Sequence, residues 1–445
     1  MTSSPPFDAA SFTWLLGIED TCVYAADGGE PLDEHALTDH NNLWRADLTA
    51  ARDLGATAIR YGMSWPLIHT APGKFDWTLL DQIIAYAVDD LRLNLVADLV
   101  HYGTPTWLTG SFADPGYPAA IEDFAGALAA RYRGKLHAYT PLNEPVTTAS
   151  FCGLRGVWPP KLTGWRGWTT VVVPIAEGMV RAARAIRRAD PDALIVHVEA
   201  ATHVHTTDDQ HTEHVTLLRD IGWLPTDLTL GTVDNHHPMH GWLLEHGATE
   251  AQLEWLAGHP TLPDLIGVNY YPDLTPRRVA TVDGTPVQVA YNAGVDGLRS
   301  VLSAFSNRYH LPIAVTETSI EGDEQTRSSW LRDSAAAVLD LREHGTDIRG
   351  YTWWPLLDFV DWSYAAGGAN IEEFAIHLSQ ADGIAVGPVP SLGDPRDGKT
   401  PFLRRMGLLH LDEQPNGTLN RVDTPTGDAY KTVVAAASNA MAVTS

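Results

Sequence analysis

Two glutamates stand where short apolar runs end. Glu144 follows Leu136–Leu142 in Asn143-Glu144-Pro145, and Glu317 follows Ile313-Ala314-Val315 in Thr316-Glu317-Thr318. Two carboxyl groups flanking an acetal can cleave it, one protonating the departing oxygen and the other attacking carbon or activating water. Other apolar runs end in Arg60-Tyr61, His101-Tyr102, Asn269-Tyr270-Tyr271 and Trp353-Trp354. Gathered at one place, these side chains would make a polar pocket with one aromatic wall, suited to a neutral, hydroxyl-rich ligand. Each glutamate also has a plainer reading. Glu144, beside Asn and Pro, could cap a following helix. Glu317 could be half of a structural ion pair, with Arg60 or Tyr271 as its partner, since a buried carboxylate without one is costly.

The elements that would carry these residues alternate in type. Eight candidate strands are read at Thr13–Ile18, Ala56–Tyr61, Leu93–Leu99, Leu136–Leu142, Ala193–Val198, Leu265–Tyr270, Ile313–Thr316 and Ile348–Trp353. Between them lie stretches with apolar residues at three- and four-residue spacing, such as Leu43–Leu54, Leu79–Asp89, Ile121–Tyr132, Val180–Ala189 and Trp330–His344. Eight βα units predict a single (β/α)8 barrel spanning residues 1–445, with an open doubly wound sheet as the alternative. In a barrel the C-terminal ends of the strands share one face, which would bring the two glutamates together. Two long loops are expected, Asp273–Asn292 after strand six and the Gly/Pro-rich Ser363–Arg404 after strand eight, the latter over the active site. A last helix is expected near Gly427–Ala437.

Composition narrows the partners. The 445 residues carry 30 Lys plus Arg against 55 Asp plus Glu, a net charge of −25. Such a chain repels phosphate backbones and anionic lipid, which argues against nucleic acid and membrane partners and leaves neutral small molecules. Two cysteines, Cys22 and Cys152, exclude a disulfide scaffold while allowing one bridge. No basic-then-apolar leader and no long apolar run are read, so a cytoplasmic location is expected. The 15 tryptophans lean weakly toward carbohydrate, because indoles stack on sugar rings as well as packing in cores.

The motifs themselves resemble one family. Thr-Pro-Leu-Asn-Glu-Pro at 140–145 resembles the acid/base motif of glycoside hydrolase family 1, the β-glucosidase and β-galactosidase family, and Val-Thr-Glu-Thr at 315–318 is similar to its nucleophile motif. Ile-Arg-Tyr-Gly-Met-Ser-Trp at 59–65, Gly-Val-Asn-Tyr-Tyr at 267–271, Gly-Tyr-Thr-Trp-Trp-Pro-Leu-Leu-Asp at 350–358 and Met-Gly-Leu-Leu-His-Leu-Asp at 406–412 follow the family in order. The resemblance implies Glu144 as acid/base and Glu317 as nucleophile of a retaining β-glycosidase that needs no metal or organic cofactor. It implies Arg60 and Tyr271 beside the nucleophile, Asn143 on the hydroxyl next to the anomeric carbon, and His101, Asn269 and Trp354 on the sugar. Three departures stand out. The family's opening Gln-x-Glu-Gly reads Gly17-Ile18-Glu19-Asp20-Thr21 here. Its Glu-Trp pair reads Asp361-Trp362, one methylene shorter. The stretch near Trp158-Pro159-Pro160 follows no family pattern. Glu19 and Asp361, with Trp362 beside them, are therefore expected to build an altered clamp, either less strict about the sugar's hydroxyls or fitted to a smaller or differently substituted sugar.

Rival readings remain at this level. His203-Val204-His205 and His236-His237 could hold a metal in a barrel hydrolase, although His-rich loops are more often solvated surface. A silent sugar-binding protein would not require both glutamates. A transglycosidase would use the same covalent intermediate as a hydrolase.

Overall fold

Aliphatic residues dominate eight short runs, and in the computed structural model of the chain each becomes a strand of one closed, all-parallel barrel. The structure describes residues 5–282, 285–369, 371, 375–376, 384–385 and 392–444. The strands are β1 Thr13–Gly17, β2 Ala58–Gly62, β3 Asn94–Asp98, β4 Ala138–Thr140, β5 Leu194–Ala200, β6 Leu265–Asn269, β7 Ile313–Thr318 and β8 Ile348–Trp353. Sequence neighbours are neighbours in space, and β1 closes the ring by pairing with both β2 and β8. This is the (β/α)8 barrel that the alternation predicts; a doubly wound sheet would have left two open edges.

Alternation along the strands divides the core in two. Leu15, Ala58, Val96, Ala138, Val196 and Ala314 pack with one another in one cluster, joined by Phe7. Trp14, Leu16, Ile59, Leu95 and Val268 belong to the larger cluster shared with the helices. Fully burying one large apolar side chain contributes about 1.5–3 kcal/mol, so the strand–helix layer carries most of the stability.

The helices that follow the strands in turn are α1 His40–Asp53, α2 Thr78–Ile84, α3 Tyr117–Arg131, α4 Gly164–Ala189, α5 Thr212–Leu230, α6 Gly294–Tyr309, α7 Glu324–Glu343 and α8 Pro425–Thr444. Helix α2 runs on into a wider π-helical stretch over Ala85–Asp90. α4 begins well before the expected Val180, because Gly167, Val171-Val172-Val173 and Pro174 are weak helix formers whose local preference is overridden by burial of that face. Gly178 lets α3 approach: a Cβ there would lie 2.7 Å from the Tyr117 ring.

The expected loop Asp273–Asn292 is instead largely a hairpin, Pro276–Val282 antiparallel to Thr285–Ala290, and His203–His205 pairs with its first strand. The residues between the strands, Asp-Gly at 283–284, are a strong hairpin-turn signal in sequence but lie outside the described residues. Much of Ser363–Arg404 also lies outside them; at its end Leu403–Arg404 pairs with Phe359–Val360. Cys22 and Cys152 are both buried and free, so the allowed bridge is not formed. Among the described residues no helix is long and apolar enough to cross a membrane.

Candidate active site

At the C-terminal ends of β6 and β7 the pairing register shifts, between Val268 and Asn269 and between Val315 and Thr318, and Asn269 comes opposite Glu317. Such irregularities re-aim side chains at sheet ends. The Glu317 carboxylate accepts from Arg60 Nη1 and, at 2.7 Å, from the Tyr271 hydroxyl. Arg60 Nη2 is shared between Asp98 and Asn143 Oδ1, the latter at 2.6 Å. Glu144 is held from the other side, by the Tyr102 hydroxyl at 2.7 Å and by Asn269 Nδ2 at 2.8 Å. Thr316 Oγ1 donates to Asn269 Oδ1 at 2.7 Å, which fixes that amide with its NH2 toward Glu144.

Glu144 does begin a helical turn, Pro145–Ala149, but its side chain does not cap it. Its backbone is left-handed, φ 46°, a strained conformation for a residue with a Cβ. That conformation turns the chain out of the barrel while Glu144 N–H still donates to Val198 C=O of β5 at 3.1 Å.

Trp354 forms the aromatic wall. Its ring stacks on His101 with centroids 5.7 Å apart and planes 2° from parallel, and Arg60 lies 4.9 Å from its centroid. Its Nε1 donates to Glu19 Oε2 at 2.8 Å, while Glu19 Oε1 takes the Thr21 hydroxyl at 2.6 Å. Gly17 makes room for the indole: a Cβ there would sit 1.8 Å from Trp354 Cε3. Trp362 packs edge-on against Tyr102 and Trp158, at 5.5 and 5.0 Å. Asp361 is placed differently from the sugar-facing position expected of it. One oxygen takes Arg404 Nη1 at 2.9 Å and the other takes Ser363 N–H at 2.9 Å, and Arg404 rather than Asp361 lines the cavity. The shorter side chain is satisfied by a guanidinium that the sequence delivers from the far end of the Gly/Pro-rich segment.

Electrostatics follow from burial. Burial, opposed by Arg60 and His101 and reinforced by Glu144, leaves the Glu317 carboxyl raised to about 8. Burial likewise raises Asp20 to about 6, with His101 opposing and Asp98 adding. Although burial works to lower it, Asp20 and Asp98 hold the His101 imidazole well above its usual range; Asp20 Oδ1 stands 2.6 Å from Nδ1. Burial and the neighbouring glutamates keep Tyr102 and Tyr271 protonated, as hydrogen-bond donors.

Asp20 and Asp98 are site residues that sequence reasoning passed over, while Tyr102 and Thr316 were named only as neighbours of His101 and Glu317. An Asp ending an apolar strand, as Asp98 does, is the signal that could have exposed one of them, since such a carboxylate needs a buried cation. Glu199 is another. It is fully buried, one oxygen accepts from Val146 and Ala200 N–H at 3.2 and 2.9 Å, and burial together with Glu144 holds it well above the carboxylate range.

For a metal, the donor group among the described residues is Glu19, Asp20 and His101, whose ligand atoms lie within 4.8 Å of one another. His203–His205 and His236–His237 gather no third ligand there. His205 packs on Tyr291, and His237 faces Asp227 at 3.4 Å. Glu144, Glu317, Asn269, Tyr271, Trp354 and Arg404 are among the residues that line one cavity of about 330 Å³.

Comparison with known proteins points one way. The model of the family described as glycosyl hydrolase family 1 matches residues 28–369. The bifunctional β-D-glucosidase/β-D-fucosidase of Bifidobacterium breve is 24% identical over 382 residues, covering 73% of this chain and 80% of its own. The β-glucosidase of an Agrobacterium species is 23% identical over 371 residues, covering 73% and 77%. The family 1 β-glucosidase of Thermotoga maritima shares the fold with a TM-score of 0.75 at 18% identity, covering 96% of this chain and 98% of its own.

Proposed function

The chain belongs to glycosyl hydrolase family 1 and is a glycoside hydrolase, and from that premise we propose that it cleaves β-glycosides of small molecules with retention, Glu317 as nucleophile and Glu144 as acid/base. The observation that carries this reading is the division of partners. Glu317 is gripped by a cation and a phenol, which favour its anionic form against the burial that raises it. Glu144 is held by a phenol and an amide, with no cation on it among the hydrogen bonds of the site. A carboxyl so placed can carry a proton to the leaving oxygen.

In the first step Glu317 attacks the anomeric carbon as the glycosidic C–O bond breaks and Glu144 gives its proton to the departing oxygen. In the second, Glu144 takes a proton from water, whose oxygen displaces Glu317 and releases the sugar. Retention of this kind requires the carboxyl groups about 5–5.5 Å apart. Trp354 supplies the platform, with His101, Asn269 and Glu19 around the sugar and Asn143 toward the hydroxyl beside the anomeric carbon. Asp361 acts through Arg404, and Trp362 closes the aromatic side. The chain works as one catalytic domain, with the 363–404 segment reaching the site through Arg404. Proton NMR during hydrolysis of an aryl β-glycoside should show the β-hemiacetal first; appearance of the α-anomer first would overturn the mechanism.

The pH dependence has a definite sign. Glu317 must be ionised to attack, so kcat/KM rises with pH through its pKa in the free enzyme. Since burial holds that group up to about 8, the acidic limb should fall far above the usual glutamate value. A limb near the ordinary value of about 4.3 would show that Arg60 outweighs burial.

A further inference from the structure

Glu144 opens a turn without capping it, and the cap comes from another strand. The turn Pro145–Ala149 starts with a proline, which has no N–H, so Val146 supplies its first backbone donor. That N–H goes to Glu199 Oε1 at 3.2 Å, and the same oxygen accepts Ala200 N–H at 2.9 Å. Glu199 lies in β5, where Val198 C=O also takes the Glu144 N–H, so β5 grips the backbone on both sides of Pro145. The grip matters because Glu144 stands at φ 46°, a conformation that a residue with a Cβ keeps only when its surroundings impose it. Packing alone does not account for a carboxyl at position 199. The residue is fully buried, and its second oxygen, Oε2, has no hydrogen-bond partner among the described residues. An apolar side chain would avoid that cost. Nor does charge account for it: burial favours the protonated form, and Glu144 adds to this over the opposing Val146 N–H. What remains is an acceptor oxygen on a side chain long enough to cross from β5 to the turn.

We propose that Glu199 is a positioning residue for the reaction: it caps the turn in place of Glu144 and thereby fixes the Glu144 carboxyl where the departing oxygen can take its proton. The proposal rests on the assignment of Glu144 as the acid. A polar side chain just before a helical turn ordinarily bonds a free N–H of that turn. With the Val146 N–H already met by Glu199, the Glu144 carboxyl is left to Tyr102 and Asn269, on the cavity side.

The test measures kcat/KM, which reports the first step, for an alkyl and a dinitrophenyl β-glycoside of one sugar. Glu199→Leu removes the cap. Misplacing a catalytic group by about 1 Å can cost roughly 10²-fold, so the alkyl glycoside should fall by about that factor. The dinitrophenyl glycoside, whose leaving group needs little protonation, should fall far less. Glu199→Gln keeps an acceptor oxygen at the same reach and should recover most of the loss. Glu199→Asp, shorter by about 1.5 Å, should not. Equal changes on the two substrates, or none, folding failure included, would make the carboxyl a prop of the barrel and overturn the proposal. A Gln variant as impaired as the Leu variant would overturn it too. Glu144→Ala, run alongside, separates the two readings. If it splits the substrates and the Glu199 variants do not, the positioning role alone fails. If it does not split them, the assignment of the acid fails and the proposal with it. Within Glu144→Ala, adding Glu199→Leu should leave the substrate ratio unchanged, because the group to be positioned is gone.

Discussion

Glu317→Ala is expected to lower turnover of every β-glycoside to background, a loss on the order of 10⁵–10⁶, as removal of a covalent nucleophile does elsewhere. Asp98 and Asp20, the carboxylates that share Arg60 and His101 with it, are committed to those cations and cannot replace it. The variant should fold, because the strand around it is held by buried Ile313, Ala314 and Val315. It leaves Arg60 with Asp98 and Asn143 as partners, so the guanidinium is not stranded. Azide should enter the emptied space and restore part of the rate on an activated aryl glycoside, giving the α-glycosyl azide. Wild-type rates in Glu317→Ala would end the assignment.

Glu144→Ala should separate substrates by leaving group. Acid assistance is typically worth ~10²–10⁴ in rate, and most of it is lost only where the departing oxygen is a poor leaving group. Alkyl glycosides should therefore fall by about that full range, and activated aryl glycosides much less in their first step. With azide the aryl substrate should give the β-glycosyl azide, opposite to the product of the Glu317 variant. Equal losses across leaving groups would show that Glu144 is not the acid. Loss of Glu144 also frees the Tyr102 hydroxyl and Asn269 amide, so Glu144→Gln, which keeps a side chain between them, is the better control for structure.

The barrel was legible because strand composition and helix periodicity are local properties. Ile348–Trp353 has the boundaries expected of it, and the other strands differ by a few residues at their ends. Helix α4 and the 276–290 hairpin were less legible. The first is stabilised by burial against α3, and the second by pairing with a segment about seventy residues earlier, the strand His203–His205. In the site, residues that terminate strands could be named in advance because a barrel gathers strand ends on one face. Asp20 depends on how the chain after β1 folds over that face, which no local pattern encodes. Asp361 illustrates the same limit. Its partner Arg404 lies 43 residues away, beyond the segment least readable in sequence.

The hydrogen bond from Trp354 to Glu19 joins residues 335 positions apart and sits at the seam where β1 meets β8. The entropy of closing so long a loop is recovered only once both partners are present, so this seam is the contact of greatest sequence separation in the sugar site. On a ribosome, β1 emerges first and waits, unpaired on that side, until residues 348–353 have been made. The strand Ala138–Thr140 and the Asn143-Glu144 pair after it are made long before then. Glu144 is thus made long before its partner Asn269, before Thr316 and before Trp354, and the site is complete only with the last strand.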